Sequence, residues 1–384
     1  MSTCLVIILL LAGTAAGQIG LSGSLAATYK QDFGREEGEG LTPINNTLKN
    51  ASPFSLLRSR LFIDGEVSER VSVSTTLLFD EQLAHVEMEG GYIIVGALGG
   101  SPVLNALVGK MPTPFGTFAA RSFPSINPLI GIPLIYHYFS AVRGASPPRD
   151  NADQLSRRDA ADYPGRGLST LYDACWNTGA QFFGSTGQFT YALAVTKGAV
   201  SNPLATDNDG VQLVGRVGLQ PTMALQLGLS AAYAPYLNKA AAYSSAFPDG
   251  AAAEDYKQRL IGLDAVYATG HLQLVAEWVF NRFDVPNLAE GHLSHSGGYV
   301  EGKYELGPGL YYALRYGRID YGEIDDGQGM PTAWDYGVQR VETGLGYYVD
   351  RRTRLKALVQ LNSWVAGAPD AHDRLFSLQL ASGF

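Results

Sequence analysis

Residues 225–233 read LQLGLSAAY. Leu225, Leu227, Leu229, Ala231 and Tyr233 fall on one face, and Gln226, Gly228, Ser230 and Ala232 on the other. A period of two is that of an extended strand whose faces meet different surroundings. The same beat runs through 21–30, 71–79, 189–196 and 272–281. Sixteen strand candidates emerge in all: 20–30, 56–66, 71–80, 91–98, 103–110, 176–184, 189–197, 211–219, 224–233, 259–268, 272–281, 298–304, 310–318, 338–348, 354–363 and 375–384.

The connections alternate between short and long. Short ones fall near Ser68, Gly100, 185–188, Pro221, Gly270, 307–309 and 350–352. Long ones fall at 31–55, 81–90, 111–175, 198–210, 234–258, 282–297, 319–337 and 364–374. Tight turns on one rim and long loops on the other, with an even strand number, are the signature of a closed antiparallel transmembrane β-barrel. A sandwich with Greek-key connections would not keep that rhythm. Closure follows because an open sheet edge cannot leave backbone groups unpaired in lipid. About sixteen strands enclose a lumen wide enough for water.

Composition agrees. Charged residues make up only 17%, against 45 glycines and 21 tyrosines, which is unusual for a soluble chain of 384 residues. Mean hydropathy is nevertheless near zero, as expected when one face of each strand is apolar and the other wet. The net charge of −8 argues against a nucleic-acid partner. Residues 5–11 read LVIILLL and are followed by small residues, so 1–17 is expected to be a secretory signal peptide and 18–384 the barrel. The run is too short for a spanning helix, which needs about 20 residues. With Cys4 in the leader, Cys175 is left without an intramolecular partner, and no cofactor is expected. Tyr29, Phe280, Tyr304, Tyr312, Tyr316 and Tyr347 stand near strand ends, where interfacial rings belong. The chain stops at Phe384 within a strand, on a face shared with Phe376, Leu378 and Leu380. A terminal aromatic so placed resembles the signal read by the barrel-assembly machinery.

Charges of both signs lie on the opposite faces. Arg58, Arg60, Asp64 and Glu66 share one, and Arg216, Asp264, Glu277, Glu301, Lys303, Arg315, Arg340, Glu342 and Lys356 follow on later strands. Charge at membrane depth needs water or an opposite charge, so these residues imply a wet interior or cross-strand pairs. The third long connection, 111–175, is too long for a plain loop. It holds Arg121, Arg143, Arg149, Arg157 and Arg158 beside several aspartates, and an apolar stretch over 128–139. The expectation is a loop folded into the lumen, its apolar part on the wall and its arginines narrowing the channel with an anion bias. Arg58, Arg60, Arg216, Arg315 and Lys356 are expected to line the same passage.

The run Gly109-Lys110-Met111-Pro112-Thr113-Pro114-Phe115-Gly116, with 178–181, 191–198, 272–278 and the last strand, resembles the phosphate-selective porin O/P family. That resemblance implies a sixteen-stranded, usually trimeric porin with an inward third loop, in the bacterial outer membrane. It does not carry phosphate selectivity, because acids accompany the basic residues here.

Other chemistry is weakly signalled. Met111 follows Gly109-Lys110 where a P-loop needs Ser or Thr. His292 and His295 lack further ligands in their loop, and no nucleophile elbow is present. The reading is passive diffusion of small hydrophilic solutes or anions, without enzymatic activity. Three alternatives stand beside it: a non-conducting barrel serving as anchor or adhesin, an outer-membrane lipid hydrolase, and a channel with a greasy lumen for apolar substrates.

Overall fold

The computed structural model describes residues 18–33, 53–83, 85–159, 167–172, 176–364 and 372–384. The leader 1–17, Cys4 and Cys175 lie outside these residues.

Eighteen strands are present among them: β1 (Ile19–Phe33), β2 (Leu57–Ser68), β3 (Val71–Asp80), β4 (Glu87–Val95), β5 (Asn105–Pro112), β6 (Trp176–Thr186), β7 (Phe189–Thr196), β8 (Gln212–Thr222), β9 (Leu225–Pro235), β10 (Lys257–Thr269), β11 (Leu272–Asp284), β12 (His292–Gly307), β13 (Leu310–Tyr321), β14 (Glu323–Asp325), β15 (Pro331–Ala333), β16 (Val338–Tyr348), β17 (Thr353–Trp364) and β18 (His372–Gly383). Sixteen close into one barrel, each paired antiparallel with its neighbours. The seam joins β1 to β18, with Thr28 opposite Gln379 and Ser24 opposite Gly383. β14 and β15 form a separate hairpin in a long connection.

All sixteen expected strands occur, and the differences are in their ends. β12 starts at His292, not near 298, so the loop assigned to 282–297 shrinks to 285–291. Its Gly, Ser and His composition reads as loop, yet those residues pair with β11, His295 lying opposite Asn281. β4 likewise begins at Glu87, within a stretch assigned to a loop.

The alternation sorts the two faces as expected. Val217, Leu229, Ile261, Leu263, Phe280 and Val300 point outward and are each more than half exposed. In water such a belt would be costly, whereas lipid covers it. Tyr304 lies opposite Tyr312 near the short-turn rim, and both are exposed. That rim is built from tight turns. Gly187 and Gly270 sit there at φ +57° and +52°, a conformation only glycine adopts without strain.

Part of the interior is filled by the connection after β5. Its apolar residues Ile132, Leu134, Ile135 and Tyr136 pack with Val275, Val279, Tyr299 and Ile319 of the wall. Leu129 and Ile130 pack on Tyr311, Leu358 and Leu375. Nearer the long-loop rim, Ala141 and Val142 join Tyr236, Leu237, Phe283 and Trp334.

Candidate functional site

The inserted segment is held on one side of the barrel by wall residues that give their hydrogen bonds to its backbone. Lys356 donates to the carbonyls of Pro124, Asn127 and Leu129 at 2.9, 3.2 and 3.1 Å. Arg315 donates to Gly131 at 2.7 Å, Arg340 to Ile132 at 2.8 Å and Tyr311 to Pro128 at 3.0 Å. A chain irregular in backbone and buried in a barrel must find partners for its carbonyls, and these cations and the Tyr311 hydroxyl supply them. Glu277 works in the opposite sense. It accepts from Tyr136 Oη at 2.6 Å and from the Thr117 backbone N–H at 3.4 Å.

This corrects two expectations. Arg315 and Lys356 do not line an open passage, since each is 1% exposed beneath the inserted segment. Arg315 also bonds Glu342 at 2.6 Å and Glu301 at 3.0 Å, and Arg121 pairs with the other oxygen of Glu301. Arg121, Glu301, Arg315 and Glu342 thus form one chain of alternating charge. Buried charges are tolerated when paired and hydrogen-bonded in this way.

The remaining arginines of the loop divide. Arg121 borders the lumen cavity. Arg149 and Arg157 both bind Asp153, at 3.2 and 3.0 Å, and Arg157 also donates to the carbonyls of Ser146 and Pro147. Arg158 donates to the carbonyl of Ala333 and lies over the Tyr336 ring. Arg143 follows Val142, which packs at the long-loop rim. These four therefore stand among the outer loops, away from a constriction. The short helix Asn151–Asp159 meets neighbouring connections through Arg158 and through Asn151, which donates to Glu290 and to the Asp325 carbonyl.

The other side of the lumen is open. A cavity of about 790 Å³ runs beside β2–β6 and β8–β10. A second, of about 380 Å³, reaches the strand ends by the short turns, and Asp64, Ser74 and Tyr92 line both. Toward the long-loop side Arg58 and Arg60 border a slot of about 20 Å³ against Ser122 and Asn127.

Basic groups along this route are compensated. Arg58 bonds Asp80 at 2.7 Å, and Arg60 grips Glu89 with two bonds of 2.6 and 2.7 Å. Arg216 grips Asp264 with bonds of 2.9 and 2.6 Å. Asp64 and Glu66, by contrast, have no ion-pair partner among the described residues.

The sequence reading missed the aromatic residues of the cavity: Phe62, Tyr92, Phe115, Phe123 and Trp176. One signal was available. Phe62 interrupts the polar face that Arg60 and Asp64 share. Phe115 and Phe123 come from the inserted loop and Trp176 from a strand end, where periodicity is silent, while Tyr92 lies inside β4.

One cluster touches the hydrolase alternative. Thr170 Oγ1 lies 2.8 Å from His295 Nε2, and Asn281 Nδ2 lies 3.3 Å from His295 Nδ1. A hydroxyl, an imidazole and an amide in that order could activate a nucleophile. Here they are 2%, 6% and 3% exposed and are knit to Gln258, so no lipid reaches them. The cluster fastens the loop to β10–β12.

No family model matches the chain, and no curated protein does. Solved structures share its fold. The outer membrane channel DcaP of Acinetobacter baumannii is 9% identical, with 97% of this chain and 99% of that chain covered and a TM-score of 0.59. Salmonella typhi OmpF in complex with daunomycin is 11% identical, with 95% and 97% covered and a TM-score of 0.56. OmpT of Vibrio cholerae in its trimer form is 12% identical, with 96% and 100% covered and a TM-score of 0.54. The fold is that of the bacterial outer-membrane porins.

Proposed function

We propose that this chain is a porin of the bacterial outer membrane, carrying small hydrophilic solutes passively along an off-centre passage, with no catalytic step. The observation that carries the reading is the pair of joined cavities on one wall of the barrel, sharing Asp64, Ser74 and Tyr92. The loop packed on the other wall narrows the lumen without filling it. The anion bias suggested by the loop arginines is replaced by a weak cation bias. The cavity arginines are paired, and the carboxylates of Asp64 and Glu66 have no ion-pair partner among the described residues. The same pairing argues against phosphate selectivity. A homotrimer fits a protein with a trimeric fold neighbour, and assembly would use the terminal Phe384.

Single-channel recording of the refolded chain in a planar bilayer, with reversal potentials in a KCl gradient, tests this. Discrete steps with a modest preference for K⁺ are expected, and a folded barrel without steps would sink the reading. One observation favours a second reading, a non-conducting anchor. The slot between Arg60, Ser122 and Asn127 is about 20 Å³, room for about one water.

A further inference from the structure

We infer that the larger cavity is a binding subsite for saccharides, so that short oligosaccharides of pyranose rings are the solutes this passage favours. The inference rests on the porin reading for access and adds the class of solute.

The aromatic rings are built into the wall. The indole of Trp176 lies over Gly90, where a Cβ would strike three of its ring atoms. Phe115 lies over Gly262, where a Cβ would stand 2.8 Å from two of its atoms. Glycine at these points lets both rings sit back against the strands, so the lumen stays open; Phe115 is buried there, whereas Trp176 is only half-buried and keeps surface toward the cavity. Phe123 is fixed from both sides. Phe62 meets it edge-on at 5.7 Å, and the Arg60 guanidinium covers it at 5.2 Å. Platforms held in this way cost little further entropy on binding.

The Trp176 indole lies over Gly90, two residues from Tyr92 on β4, so the indole and the root of the Tyr92 side chain are about 7 Å apart along that strand.

Polar groups decide the class. Arg121 Nη1 and Gln181 Oε1 line the cavity and are buried without a hydrogen-bond partner among the described residues. An orphaned donor and acceptor ask for a ligand that satisfies both. Asp64 adds a free carboxylate that accepts hydroxyl donors. An unsubstituted aromatic solute would stack but leave these groups unpaired, at a cost. An anion would meet Asp64, and arginines already neutralised by Glu301 and Asp264. A pyranose has what remains: C–H faces, positive at their surface, that rest on the negative face of a ring, and hydroxyls around its edge.

The test is ion current through the full-length barrel in a planar bilayer, with maltotriose and cellobiose added at millimolar concentration. Saturable interruption of the current is expected. Trp176→Ala should raise the half-blocking concentration about three- to tenfold, Trp176→Phe less, and Gln181→Met should raise it as well. Currents that neither sugar interrupts would overturn the inference and leave the porin intact. Interruption by benzoate alone would overturn it in favour of an aromatic acid site. If no current flows, the porin reading fails by itself. Tryptophan fluorescence of the detergent-solubilised barrel then decides: a maltotriose-dependent change lost in Trp176→Phe supports the subsite, and no change overturns it.

Discussion

Lys356 Nζ lies 3.1 Å from the carbonyl of Leu129, joining a lumen-facing strand to the segment folded inside the barrel. The ammonium serves three carbonyls at once and is almost wholly buried. Lys356→Met keeps the volume and removes every donor. Hydrogen bonds to a charged group contribute about 1.5–3 kcal/mol, and the carbonyls left behind add to the loss. We expect loop docking to weaken by about 2–4 kcal/mol. Single-channel traces should become noisier and more conductive, and protease should nick the 122–132 segment. Quiet traces at the original conductance would show that apolar packing alone holds the loop.

Asp64 gives a selectivity prediction. It borders both cavities and has no cationic partner among the described residues. In a wet pore a single charge changes the passage of an ion by about 0.5–1 kcal/mol. Asp64→Asn should therefore reduce the K⁺ over Cl⁻ permeability ratio roughly two- to fivefold, read as a shift in reversal potential. An unchanged potential would place the ion path elsewhere.

The strands were legible because membrane and lumen impose opposite demands on successive residues, as in Leu227, Gly228 and Leu229. The pairing of the inward charges was not. Arg216 and Asp264 are 48 residues apart and sit on β8 and β10 with β9 between them. Arg121 and Glu301 are 180 apart. Residues known only to share an inward face offer no way to tell a pore liner from a loop clamp. Arg315 and Lys356 were read as liners for that reason. The distinction depends on where the 111–175 segment lies, and its apolar run 128–139 shows that it is inserted without showing against which wall.

Gly116 is the point where the inserted loop turns under β11. Its φ is +61°, and a Cβ would strike the Glu277 carboxylate and the Tyr136 hydroxyl. The left-handed conformation alone costs a residue with a side chain about 1–2 kcal/mol. Gly116→Ala should lower the temperature of heat modification on a gel, because the Tyr136–Glu277 bond must open. A variant as heat-resistant as the parent would mean that the turn can flip without penalty.

The outer loop cluster should respond to acid. Burial raises the Asp153 carboxyl, but the Arg149 backbone N–H and the charges of Arg157 and Arg149 outweigh that and hold it below its ordinary 3.8. A depressed carboxyl contributes stability that is complete above its unfolded value and is lost as pH falls through the folded one. Docking of the Asn151–Asp159 helix should thus be constant from neutral pH down to about the ordinary carboxylate value, then fail below it. Hydrogen exchange over 146–159 would report this as lost protection at strongly acid pH. Asp153→Asn should be loosened already at neutral pH and change little on acidification. If wild type keeps full protection in strong acid, Asp153 does not hold the helix.

Phe384 supports a last prediction, about assembly. Its backbone N–H donates to Gly23 O at 3.0 Å and its carbonyl accepts from Gly23 N at 3.2 Å, ending the β1–β18 seam. The residue is 64% exposed, on the outward face with Leu378 and Leu380. Removing it costs the seam two terminal hydrogen bonds of about 1 kcal/mol each, while the pairs from Ser24 opposite Gly383 to Phe33 opposite Arg374 remain. The truncated chain should therefore refold in detergent nearly as well as the full chain. On the proposal that assembly in cells uses Phe384, the folded barrel there should fall to a small fraction of its normal level. Parallel loss in detergent and in cells would assign Phe384 to seam closure, and no loss in either would remove it from both roles.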